Sequence, residues 1–175
     1  QKQNYLRIPI TELGNLVLYG SPGSGKSMFV TTLIYSIVSH YSPEEVNIYA
    51  LDFESETLKS FEKAPHIGDV ILSYEGEKVA NLMKTLYKEI ESRKKKFADF
   101  GGTYKSYIIE SGKTIPNIIV VLNNYAAFLE LYPDKEDAIT LLTREGSRYG
   151  IYFVFTANGT NEIKYKIAQN FPQII

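Results

Sequence analysis

Apolar runs of strand length alternate along this chain with segments whose apolar residues recur at helical spacing. NLVLYG (15–20), VNIYALD (46–52), DVILSY (69–74), IIVVLN (118–123) and IYFVFTA (151–157) read as strands. Lys26 to His40 reads as a helix ended near Pro43. Glu77 to Phe100 reads as a long amphipathic helix with Val79, Leu82, Leu86, Ile90 and Phe97 on one face and Gly101-Gly102 as its stop. A third helix is predicted from about Lys135 to Tyr149, before Gly150. Strands separated by helices predict an α/β fold, a mainly parallel sheet covered by helices. The closing QNFPQII resembles the start of a further strand, so the chain reads as a piece of something longer.

Composition narrows this only a little. A length of 175 residues with 44% hydrophobic content predicts one globular domain over 1–175 with a core of its own. A net charge of -1 gives no global field toward nucleic acid or an acidic membrane. The basic run RKKK (93–96) shares its helix with Glu89, Glu91 and Asp99, and is expected to be a solvated face. No cysteine is present, which excludes disulfides and thiolate metal sites. His40 and His66 lack ligand-like spacing and are expected on the surface or in loops. No apolar run approaches the roughly 20 residues of a membrane-spanning helix, and the first residues, QKQNYLRIPITELG, do not read as a signal peptide, which predicts a soluble piece.

Chemistry enters with GSPGSGKS, residues 20–27, directly after one predicted strand and directly before a predicted helix. It matches G-x-x-x-x-G-K-[ST] in the context that a phosphate-binding loop requires. Gly20, Gly23 and Gly25 let the backbone turn tightly, so that its N–H groups, together with those of Ser21, Pro22's neighbours and Ser24, surround phosphate oxygens at a helix N-terminus. Lys26 is placed for the β- and γ-phosphates and the Ser27 hydroxyl for Mg²⁺.

In hydrolases with this loop a later strand ends in an acid that holds the Mg²⁺ through its waters, often beside a second acid that polarises the attacking water. IIVVLN is the expected strand, and it ends in Asn123 and Asn124. An amide oxygen can accept from a metal-bound water, but it brings no charge and takes no proton near neutral pH. The alternative is that the acid lies on another strand, at Asp52 with Glu54 close behind. Thr156 and Asn158 in FTANGT are candidate sensors of the γ-phosphate, with a plain strand-ending turn as the other reading. Arg144 and Arg148 are candidate arginine fingers for a neighbouring subunit, with ordinary surface arginines as the other reading.

The order GSPGSGKS, YALDFESE, PHIGDVI, PNIIVVLNNY and REGSRYGIYFVFTA resembles the motor modules of the FtsK/SpoIIIE family, from about residue 13 onward. It is most similar to a downstream ATPase module of the type VII secretion motor, the EssC/EccC type. The resemblance implies a three-layer RecA-like core in which the FTANGT strand separates the phosphate-loop strand from IIVVLN. It implies ATP with Mg²⁺ as ligands, and a degenerate metal-binding strand, since active members carry Asp-Glu where this chain has Asn123-Asn124. It also implies a location on the cytoplasmic side of the bacterial membrane within a membrane-anchored protein. The partners it implies are further modules, neighbouring subunits in a hexameric ring, and small helical-hairpin secreted proteins. DNA, the substrate of the family's translocases, is disfavoured by the charge and by Asn158 standing where translocases carry Gln.

Overall fold

The structure is a computed structural model and describes residues 7–175; the reading of the first residues as other than a signal peptide falls partly on 1–6, outside the described residues. Six strands form one sheet: β1 (Leu16–Tyr19), β2 (Val46–Asp52), β3 (Ile67–Leu72), β4 (Asn117–Asn123), β5 (Ile151–Ala157) and β6 (Gln173–Ile174). Every pairing is parallel, in the order β3-β2-β4-β5-β1-β6. The IYFVFTA strand therefore lies between the phosphate-loop strand and IIVVLN. The closing QNFPQII supplies β6, which flanks β1.

A parallel sheet has to be covered on both faces, because its crossovers lay helices over each. Here α2 (Lys26–His40) packs Val30, Ile34 and Ile37 on one face, against Leu16, Ile48, Ala50, Val121 and Val154. The opposite face carries α3 (Gly76–Phe97), α5 (Tyr125–Leu131) and α6 (Glu136–Glu145), whose Leu86, Phe128 and Leu142 meet Leu51, Leu122, Phe153 and Phe155. The three-layer RecA-like architecture follows. Two short helices, α1 (Ile10–Leu13) and α7 (Tyr165–Ala168), and α4 (Tyr104–Ser111) complete the chain.

Several predicted bounds shift for local reasons. The strand expected over 69–74 begins at Ile67 and stops at Leu72, where the Glu75 carboxylate accepts from Leu72 N at 2.8 Å and Glu75 N donates to Leu72 O at 3.0 Å, closing a turn into α3. The long helix ends at Phe97 and tightens into a 3₁₀ turn over Ala98–Phe100 before Gly101, at φ 81°. The helix expected over 135–149 is α6 between two 3₁₀ turns, Pro133–Lys135 and Gly146–Tyr149. The stretch before β4, in which the apolar pattern marks no element, holds α4, started by the Thr103 hydroxyl accepting from Ser106 N at 3.1 Å.

The basic run is corrected at one residue. Arg93 is not solvated: it is 1% exposed, and its guanidinium donates to Tyr149 O at 2.8 Å, Pro116 O at 2.7 Å and Glu89 Oε1 at 2.7 Å. Five donors in a rigid fork let arginine serve three acceptors at once, two of them backbone carbonyls at the starts of β4 and β5. Lys94 pairs with Glu91 and Glu145, so the run presents less free charge than its sequence suggests. His40 is exposed, as expected, whereas His66 is in the loop entering β3 but buried, its Nε2 2.7 Å from Tyr41 O.

Candidate nucleotide site

All five long strands point their C-terminal ends the same way, and the loops leaving β1, β2, β4 and β5 converge there. In open α/β sheets that end is where ligands bind. The loop 20–25 leaves β1 and delivers the chain into α2 with Gly25 in the left-handed region at φ 97°. At Gly20 the constraint is space: a Cβ would meet the Ser24 hydroxyl at 2.3 Å. The first turn of α2, a helix of 15 residues, leaves backbone N–H groups without intrahelical acceptors, directed at the loop's concavity.

Lys26 is folded back into this loop and only 5% exposed. Its ammonium donates to Gly20 O at 2.7 Å, Ser21 O at 3.1 Å and Asn158 Oδ1 at 3.0 Å. All three of its donors are thus engaged, and a phosphate oxygen reaching Lys26 has to replace at least one acceptor. Asn158 lies past the end of β5. Its side chain is oriented by Glu162, whose carboxylate accepts from Asn158 N at 2.8 Å and from Asn158 Nδ2 at 3.1 Å.

Asn123 ends β4 with no exposed surface. Its Nδ2 donates to Ser27 Oγ at 3.3 Å and to Asp52 Oδ1 at 3.1 Å, while its Oδ1 accepts from the Thr156 hydroxyl at 2.9 Å. The Thr156 oxygen in turn accepts from Asn124 N at 2.8 Å. Because Asp52 only accepts, the amide is held with its nitrogen toward Ser27. An amide oxygen toward the metal position, the favourable case raised by the sequence, is therefore not what this arrangement offers.

The side chain of Asn124 serves its own helix. At φ 73° it occupies the left-handed region that Asn tolerates better than most residues, and its Oδ1 accepts from Ala127 N at 3.1 Å as the cap of α5. Asp52 is buried and occupied too, accepting from the backbone N–H groups of Glu54, Ser55 and Leu58 at 3.1 to 3.3 Å. It organises the loop after β2. That loop sets Glu54 Oε2 3.4 Å from Ser27 Oγ.

These residues fit a nucleotide's phosphates, with a glycine-rich cradle, a lysine and a helix N-terminus. They fit Mg²⁺ less well: the Ser27 hydroxyl and the exposed Glu54 carboxylate face the position, and the strand-end group beside them is a donor. When bound, such an ion neutralises phosphate charge and polarises the bond to be broken. Burial raises the Tyr19 and Tyr125 phenols above their ordinary range, so both stay neutral beside the loops.

Arg144 and Arg148 lie at the other end of the sheet, ahead of β5. Arg144 is 3.5 Å from Glu145, and Arg148 donates to Gly102 O at 3.4 Å. They are remote from this chain's own phosphate loop. Glu162 was not singled out from the sequence; an acid four residues after a strand-end Asn, inside a turn, is the signal that was available.

A model of the FtsK/SpoIIIE family matches residues 2–175. The chain is 30% identical over 171 residues to the ESX secretion system protein YukB of Bacillus subtilis (strain 168), an alignment taking in 97% of this chain and 11% of that protein. It is similar to the solved cytoplasmic domain of EssC, with TM-score 0.88 and 31% identity over 94% of this chain and 33% of that one. It is also similar to the EccC (ATPases 2 and 3) of Thermomonospora curvata in complex with a signal sequence peptide, with TM-score 0.84 and 26% identity over 91% and 30% of the two chains. The relatives are larger, multidomain proteins, and among the described residues here no helix is long and apolar enough to cross a membrane. With the strand order and the phosphate loop in agreement with these similarities, the chain belongs to the FtsK/SpoIIIE family and is homologous to the ATPase domains of the type VII secretion motors EssC and EccC.

Proposed function

We propose that this chain is an ATP-binding module of a type VII secretion motor that hydrolyses nucleotide weakly or not at all. The supporting observation is the Asn123 amide, whose nitrogen faces Ser27 where a hydrolase presents a carboxylate. Nucleotide then acts as a ligand, favouring whichever arrangement of the module it binds better. In this reading the arrangement governs docking to further modules, to neighbouring subunits of a ring, or to a secreted substrate. The signal sequence peptide held by the Thermomonospora curvata relative supports the last of these. Membrane attachment belongs to other parts of the parent protein, with this module on the cytoplasmic side.

The test is titration with a fluorescent ATP analogue, with and without Mg²⁺, against Lys26→Ala. Binding by wild type, loss in the variant and little gain from Mg²⁺ are expected. Strong Mg²⁺ dependence would instead favour an active ATPase. Glu54, 3.4 Å from Ser27 Oγ, is the observation behind that second reading. In an active enzyme Glu54→Gln would lower turnover at least tenfold; in a receptor there is no turnover for it to lower.

A further inference from the structure

The contact between Lys26 and Asn158 has a direction that hydrolysis or its absence does not explain. Lys26 is a pure donor and Glu162 a pure acceptor, and Asn158 stands between them with an amide that has one face of each kind. The Asn158 oxygen is 3.0 Å from Lys26 Nζ and its nitrogen 3.1 Å from Glu162 Oε1. The second carboxylate oxygen of Glu162 is 2.8 Å from Asn158 N, so the clamp is two-pronged. Nor is Glu162 free to swing away. It closes a 3₁₀ turn in which its N–H donates to Gly159 O at 3.1 Å, and the next residue, Ile163, is sunk in the core.

Asn158 stands past the end of β5, where the sequence reading places a sensor of the γ-phosphate, so it is the third phosphate whose anionic oxygens, which only accept, would come toward the Asn158 oxygen, which also only accepts. Asn158 can assist that phosphate only by reversing its amide, and reversal turns its oxygen onto the Glu162 carboxylate. Either way an acceptor faces an acceptor. Resting on the nucleotide-receptor reading, we propose that Glu162 is a positioning residue that fixes the Asn158 amide with its oxygen toward Lys26, and so sets the site's preference toward nucleoside diphosphate over triphosphate. A glutamine at 162 keeps the length and turn but can itself donate, which lets the Asn158 amide reverse with both of its ends satisfied.

The experiment is calorimetric titration of ATP and of ADP into wild type, Glu162→Gln, Asn158→Ala and the double variant. The readout is the ratio of the two affinities, which does not depend on the fraction of protein that is folded. In Glu162→Gln the ratio shifts toward ATP by on the order of tenfold, the worth of one charge-assisted hydrogen bond. In the Asn158→Ala background the same change at 162 leaves the ratio where it was, because Glu162 acts through Asn158. An unchanged or ADP-ward ratio in Glu162→Gln overturns the proposal, as does an effect that persists undiminished without Asn158. If wild type binds through Lys26 and only the ratio fails to move, the receptor reading stands and the positioning role falls. If neither wild type nor Glu162→Gln binds either nucleotide, both fall.

Discussion

Asn123 and Asp52 make a pair whose sense depends on one atom. As an amide, residue 123 donates to the Asp52 carboxylate at 3.1 Å in a place without solvent. Asn123→Asp sets two carboxylates against each other there, and burying unpaired charge is costly. The variant is expected to lose roughly 3 kcal/mol, or about 6–12 °C in Tm for a domain of this size. Mg²⁺ with ATP should return part of the loss by supplying positive charge between the carboxylates, whereas ATP alone should not. Thermal melts in the three conditions check this; a variant as stable as wild type without ligand would mean that the Asn123–Asp52 contact is not formed. Asn124, by contrast, is a cap, and Asn124→Ala should cost about 1 kcal/mol without altering nucleotide affinity.

Elements are held in place by polar groups that the hydrophobic pattern does not reveal. Arg93 fastens α3 to the starts of β4 and β5 through two backbone carbonyls. Arg93→Met keeps much of the volume but leaves both carbonyls without a donor, so denaturant unfolding should report a loss of about 2–4 kcal/mol. Glu75 joins β3 to α3. The Leu72 N–H donated to its carboxylate, helped by Lys78 at 3.0 Å, holds this acid below the usual glutamate range. A lowered folded value means that the contribution is complete above the ordinary glutamate value of about 4.3 and fades as pH falls through the folded value. Wild type should therefore exceed Glu75→Gln by about 1 kcal/mol at neutral pH and match it in acid. A gap independent of pH would show that the charge is not what matters.

For the whole molecule, distant parts of the chain are closed on one another by Asn15. Its Nδ2 donates to Thr143 O and Asn170 O, both at 2.9 Å, and its Oδ1 accepts from Phe153 N at 2.9 Å. Asn15→Leu would strip three backbone groups of their partner and should lower stability by about 3 kcal/mol. Ligand linkage acts on the same scale. A nucleotide at a hundred times its dissociation constant stabilises the folded state by about 2.7 kcal/mol, so melts should rise with ATP in wild type and stay flat in Lys26→Ala.

Periodicity alone carried the five long strands, α2 and most of α3, because a strand buried on both faces and an amphipathic helix each write their burial directly into the apolar pattern. The phosphate loop was equally legible, since its chemistry demands glycines, a lysine and a hydroxyl at fixed spacing within eight consecutive residues. Short helices such as α4 and α5 were missed because seven or eight residues hold too few apolar positions to show a period. What the paired asparagines do was not legible either. Their residue types raised the question, but Asn123 takes its orientation from Asp52, 71 positions away; likewise Asn158, outside that pair, faces Lys26 from 132 positions away. A hydrogen bond has a sense that its partners decide, and the fold alone brings those partners together. The sequence by itself determined the five long strands, the long helices over them and the loop proposed to hold phosphate; the tertiary structure decided which end of each amide faces that loop.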